Sequence, residues 1–163
     1  MRDREGRPVA ELLAVVRLRG NIKVRREMLD TLRMLGLTRV NHCVLLRGGD
    51  SEKGMLKKVK DMVTWGEINR ETLLHLLKKR GRIRGELPLT EERVREWGFS
   101  SLEELADALL GGKVWVKDLP GLKKVFRLHP PRGGYRAIKK SVKEGGDLGY
   151  RGEAINELLM RMI

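Results

Sequence analysis

At 163 residues the chain is the size of one ordinary domain, and its 40% apolar content suffices for a core built mostly of aliphatic side chains, since aromatics make up only 4%. With 35 Lys and Arg against 22 Asp and Glu, the formal charge is +13, which points to a polyanionic partner, nucleic acid or an anionic surface. The lone cysteine, Cys43, excludes an internal disulfide; no apolar run reaches the ~18 residues of a membrane span, and Leu12–Val16 is too short for a secretory leader.

The first predicted element is a strand over Leu12–Arg19, apolar and then alternating, with Val16 and Leu18 on one face and Arg17 and Arg19 on a basic outer edge. Gly20-Asn21 breaks it. A helix is predicted from about Lys23 to Leu35, with Met28, Leu29, Leu32 and Leu35 at helical spacing and Gly36-Leu37 as its stop. A second strand spans His42–Arg47, and a second helix follows with Ser51 as its cap and Met55, Val59 and Met62 facing inward. Val63–Trp65 is a short third strand. This β-α-β-α-β order implies a small sheet with helices packed on it, an α+β fold.

Beyond it the reading is helical. Asn69 caps a helix that ends in Lys78-Lys79-Arg80 before Gly81, Thr90 caps a short one, and Ser101 with Glu104 forms a capping box. From Gly111 to Arg151 the chain turns basic, with 11 cations against three acids, and its Val125–Arg151 part carries paired prolines and two Gly-Gly steps. Such a segment is expected to stay loose without its partner and to lay cations along a phosphate backbone. Removing residues 123–143 is therefore expected to leave the rest folded. A final helix carries Ile155, Leu158, Leu159 and Met162 on one face, which must dock on the core. The units are 8–68, the core; 69–111, helical; 112–151, basic and extended; and 152–163, the docking helix.

The cations gather in four places. Arg17, Arg19, Lys23, Arg25 and Arg26 surround the first strand-to-helix turn, where a helix N-terminus itself attracts phosphate and where cations without an anion oppose the helix dipole. Lys53, Lys57 and Lys58 lie on the second helix; a hydrated face explains them equally well. Lys79 and Arg80 suit a helix end, which does not account for Arg82 and Arg84 beyond the glycine. The fourth group is Lys123, Lys124, Arg127, His129, Arg132, Arg136, Lys139, Lys140, Lys143 and Arg151, among which Tyr135 is placed to stack on a base. The acidic stretch 86–110 is expected to face solvent, away from RNA. Trp65, Trp97 and Trp115 are expected to pack in the core.

No spacing of His and Cys suits a metal, no Gly-Lys-Ser/Thr follows a strand, and no nucleophile–base pair or carboxylate dyad is present. No cofactor, small-molecule substrate or membrane is expected. The residues read as an RNA-binding protein; the alternatives are an RNA-processing or modifying factor using the same surface, and an adaptor for an acidic protein or membrane. Basic membrane helices carry aromatics on their apolar face, which these do not.

Arg19-Gly-Asn-Ile-Lys23, Thr31-Leu-Arg-Met-Leu-Gly-Leu37, Gly54-Met-Leu-Lys-Lys-Val59, Lys79-Arg-Gly81, Pro131-Arg-Gly-Gly134, Glu144-Gly-Gly-Asp-Leu-Gly149 and Ile155-Asn-Glu-Leu-Leu-Met-Arg-Met162 stand in an order and spacing that resemble the L-thirty family of large-subunit ribosomal proteins. The resemblance is to its longer archaeal and eukaryotic branch and covers residues 8–163; the short bacterial form resembles residues 10–65 only. It implies a three-stranded, ferredoxin-like core seated on large-subunit ribosomal RNA in the cytoplasm, a structural role without catalysis, and neighbouring ribosomal proteins as further partners.

Overall fold

The structure, a computed structural model, describes residues 11–163, so the first three residues of the 8–68 unit lie outside it. Strand β1 (Leu12–Arg17) is buried along its whole length. An unbroken apolar run of this kind belongs in a strand covered on both faces. Leu13 and Val15 meet Leu32, Leu35, Leu56 and Met62 on one side. Leu12, Ala14 and Val16 meet Leu73, Leu77, Leu105 and Leu159 on the other. The half-buried strand with a basic outer edge is thus corrected, because the first two helices cover the Arg17 face that would have been open, and the later helices cover the other.

Helix α1 (Arg26–Leu35) starts three residues later than its periodicity predicts, since Lys23 has a left-handed φ of 57° and Arg25 is extended. It ends at Gly36, whose φ of 87° excludes a strain-free side chain, while the Leu37 N–H donates to the Leu32 carbonyl at 2.8 Å. Strand β2 (His42–Arg47) and helix α2 (Asp50–Lys58) follow; Gly49, not Ser51, holds the cap position, and the Lys53 N–H returns to its carbonyl at 3.0 Å. Strand β3 (Val63–Glu67) completes the first unit. β1 pairs antiparallel with both β2 and β3 and lies between them. The two flanking strands therefore run parallel to each other, the split β-α-β arrangement of a ferredoxin-like α+β fold.

The second half covers the other face. Helix α3 (Arg70–Arg80) is capped by the Asn69 side-chain oxygen, which accepts from the Thr72 N–H at 2.8 Å. Strands β4 (Arg82–Ile83) and β5 (Leu87–Pro88) form a hairpin, and helix α4 (Glu91–Glu96) is capped by Thr90. At helix α5 (Leu102–Leu110) the Ser101 hydroxyl accepts from the Glu104 N–H, but the Glu104 carboxylate accepts from the Ser100 N–H at 2.8 Å rather than from Ser101, so the expected reciprocal box is shifted by one residue.

The basic segment supplies strands β6 (Val125–Arg127) and β7 (Gly149–Tyr150), and helix α6 (Ile155–Met162) follows. The sheet order is β6-β2-β1-β3-β7. The expected three-stranded sheet is therefore five-stranded. Phe126, wholly buried in the larger core, is what draws the arm onto the edge of β2. α6 packs on β3 and α3 through Ile155, Leu158, Leu159 and Met162, all without exposed surface. Close approach there requires Gly66, where a Cβ would fall 1.9 Å from the Gly152 carbonyl oxygen.

Candidate nucleic-acid interface

Strand register decides where the cations go. Arg17 stands beside Val63, Val16 beside Cys43, and His42 beside Arg127. The end of β1, the starts of β2 and β3 and the end of β6 therefore share one end of the sheet. The loops leaving there include 18–25, 37–41, 59–62 and the beginning of 128–148.

Arg17 itself is 2% exposed and does not reach that surface. Its Nε donates to the Arg19 carbonyl at 2.8 Å, its Nη1 to the Leu37 carbonyl at 3.0 Å, and its Nη2 to Asn21 Oδ1. Burial lowers its pKa, and three oxygens rather than an acid receive the guanidinium. Its expected RNA contact is corrected: it is the internal clamp of the loop that presents Lys23, Arg25 and Arg26, all exposed. Arg19 is half-buried and donates to the Asp61 carbonyl at 3.3 Å. Ile22, at the tip, is 85% exposed. Sequence reading passed over it, although an apolar residue between Asn21 and Lys23, off every helical stripe, was the available signal. Among the described residues no side chain caps α1, so the start of the helix remains open to an anion. Nearby, Arg39 is a further exposed cation that the sequence reading did not single out.

Lys53, Lys57 and Lys58 are exposed on α2, the latter two in its last turn, where cations suit the helix dipole. Lys79 is exposed at the end of α3, and Arg80 is half-buried. Arg82 donates to the Gly81 carbonyl at 2.9 Å, which ties it to the helix end, and Arg84 is exposed in the hairpin. Arg82, Lys123, Lys124 and Arg127 come together around a cleft of about 380 Å³ with Thr38 and His42. Glu86 sits in the same cleft, paired to Lys123 and, at 3.4 Å, to Arg127. Glu86 thus brings one end of the acidic stretch 86–110, expected to face solvent, to the cations of the arm. Glu103 also pairs with Lys78 at 3.4 Å and Asp107 with Arg70 at 2.6 Å, because the stretch is packed against α3 and the arm.

The arm is more ordered than its composition suggests. His129 lies between two carbonyl oxygens, Nδ1 2.6 Å from that of Pro130 and Nε2 3.1 Å from that of Ile163. Arg161 donates to the Arg132 and Gly134 carbonyls, each at 3.1 Å, so the end of α6 grips the Pro-Gly turn. Tyr135 does not stand free to stack: its ring packs on the larger core, its hydroxyl donates to Asn41 Oδ1 at 2.7 Å, and burial, with Asp147, pushes its pKa up to about 12. Arg151 is also corrected. Its side chain is 9% exposed, paired at 3.1 Å with Asp147 and donating at 2.8 Å to the Thr64 hydroxyl. Asp147 in turn accepts from the Ala137 N–H at 2.9 Å, closing the loop between. Arg132, Arg136, Lys139, Lys140 and Lys143 remain exposed along it.

The opposite end of the sheet carries acids: Glu11, Glu67 and Glu153 line one cleft. Glu67 accepts from the Tyr150 hydroxyl and, with Glu11 and Glu153 nearby, pushes the phenol up to about 12. A cavity of about 950 Å³ between β2 and residues 112–122 has a mainly aliphatic wall with no Ser, His, Cys or Tyr among its described lining residues. Among the described residues no group of three or more His, Cys, Asp or Glu could hold a metal ion, and no helix is long and apolar enough to cross a membrane.

Residues 13–63 match the family described as ribosomal protein L30p/L7e. That range covers β1 to the start of β3. Curated relatives extend over nearly the whole chain. Large ribosomal subunit protein uL30 of Thermofilum pendens is 52% identical over 154 residues, 93% of this chain and 99% of its own length. That of Nanoarchaeum equitans is 51% identical over 154 residues, and that of Methanococcus maripaludis 51% over 152. Identity at this level across both halves of the fold makes the chain a member of the L30p/L7e family of ribosomal proteins, a structural and non-enzymatic family.

Proposed function

We propose that the chain is a structural constituent of the large ribosomal subunit in the cytoplasm, and that it binds large-subunit ribosomal RNA through the cationic end of its sheet. The observation that supports this most is the sorting of charge by strand register. Lys23, Arg25, Arg26, Lys57 and Lys58 gather with the arm at one end, and Glu11, Glu67 and Glu153 gather at the other. RNA segments brought together repel through their phosphates; a rigid body carrying cations on several loops offsets that repulsion from fixed positions. Contacts of this kind run mostly to phosphate and sugar, so RNA shape decides where the protein sits.

The test is binding of the full chain to protein-free large-subunit ribosomal RNA across a salt series. Each neutralised phosphate contributes about 0.7–0.9 to the slope of log K against log salt, so a slope steeper than about −4 is expected. A slope near zero overturns the reading.

A further inference from the structure

We propose that the cleft between the β4–β5 hairpin and the start of β6 is a seat for a phosphate group, occupied in the free protein by the Glu86 carboxylate and taken over by a phosphodiester of the bound RNA. This rests on the RNA reading above and adds to it a defined pocket with a built-in competitor.

The hairpin tip carries Gly85 at φ 86° and Glu86 at φ 60°. The left-handed region is unfavourable for a non-glycine residue other than Asn or Asp, yet it is this backbone that swings the Glu86 side chain over the cleft. There it meets Lys123 and Arg127. Its pKa is lowered, first by the hydrogen bond from Lys123 and then by the charges of Arg127, Lys123 and Arg82. One carboxylate thus faces four cations, since Lys124 also lines the cleft and has no acidic partner among the described residues. A phosphodiester carries one negative charge and two non-bridging oxygens, as a carboxylate does, so it can take the carboxylate's place among these four cations.

The cations and the carboxylate differ in how firmly they are held. The Lys123 N–H donates to the Arg82 carbonyl at 2.9 Å and the Arg84 N–H to the Gly121 carbonyl at 2.8 Å, which fixes the base of the hairpin to the strand entering the sheet. Arg127 lies in β6 itself. Glu86 is at the exposed tip of strands only two residues long. The carboxylate can leave while the cations stay.

His42 lines the same cleft, and its Nδ1 is buried without a hydrogen-bond partner among the described residues. Its pKa is lowered by burial first and then by Arg127, Arg39 and Arg17. An anion arriving among Lys123, Lys124, Arg82 and Arg127 offsets those cations, so the imidazole reports occupancy. Glu86 already supplies part of that offset, and inorganic phosphate, with its second negative charge, supplies more.

The experiment uses the full chain and its Glu86→Gln variant, with inorganic phosphate as the first probe and protein-free large-subunit ribosomal RNA as the second. Glu86→Asn, which suits the left-handed backbone, serves if Gln disturbs folding. Phosphate is expected to raise the His42 pKa measured by NMR, and to bind the variant roughly three- to tenfold tighter than the parent. RNA is expected to bind the variant more tightly by a similar factor, with the salt slope nearly unchanged because the same phosphate is neutralised in both. An unmoved His42 resonance in both proteins, or equal RNA affinity of parent and variant, overturns the proposal. If neither protein binds RNA but phosphate still tightens on the variant, the RNA reading fails and the seat belongs to a free phosphate.

Discussion

Two arginines show how little net charge says about where a side chain points. Arg17 and Arg151 sit in segments whose other cations face solvent, but both turn inward, one to three oxygen acceptors and the other to Asp147 and Thr64. Alternation along β1 puts Arg17 on the face opposite Val16, and that much was legible. What sequence could not show is that this face is also covered, since the cover comes from α1 and α2 and from the Asn21 turn that folds over the guanidinium. Arg17→Met is expected to destabilise the fold by about 1–3 kcal/mol, because two carbonyls lose their donor. The measurement is a denaturant midpoint, paired with RNA binding. A contact residue would lower the salt slope, whereas Arg17→Met in folded protein is expected to leave it unchanged. Arg25→Gln, on the exposed N-cap residue, is expected to do the reverse.

Among the elements, those with a strong period or a chemical terminus were readable: α1 with its Gly36 stop, α3 with its Asn69 cap, and α6 with its apolar face. β6 and β7 were not. Three and two residues are too few to show a period of two, and their pairing partners lie far away in sequence. The consequence is a reversed expectation for the arm. Removing residues 123–143 deletes β6 and takes Phe126 out of the core, so the deletion is expected to unfold the protein rather than spare it. Phe126→Ala alone is expected to cost about 3–5 kcal/mol, read from the thermal or denaturant transition. The exposed part of the same arm behaves differently. Replacing Arg136, Lys139, Lys140 and Lys143 together by Gln is expected to leave the unfolding midpoint within about 0.5 kcal/mol. It is also expected to lower RNA affinity by more than about tenfold at 0.1 M salt. Loss of stability without loss of affinity would mean that these cations hold the arm and do not touch RNA.

At the scale of the whole molecule, the β-α-β-α-β unit and the helical half are not a core with an appendage. The two halves clasp one sheet, α1 and α2 from one side and α3, α5 and α6 from the other, and the arm runs from the β6 edge across to β7. The order of synthesis then has a cost. A ribosome that has made residues 12–67 has produced the three central strands, but Leu12, Ala14, Val16 and Cys43 have only the partial lid of α3 and α5 until Leu158 and Leu159 emerge some ninety residues later. With long-range pairing of this kind, the nascent chain must wait with sticky hydrocarbon in view, at an elongation pace of about 5–20 residues per second. Any intermediate shorter than the finished α6 is therefore a substrate for chaperones or a seed for aggregation.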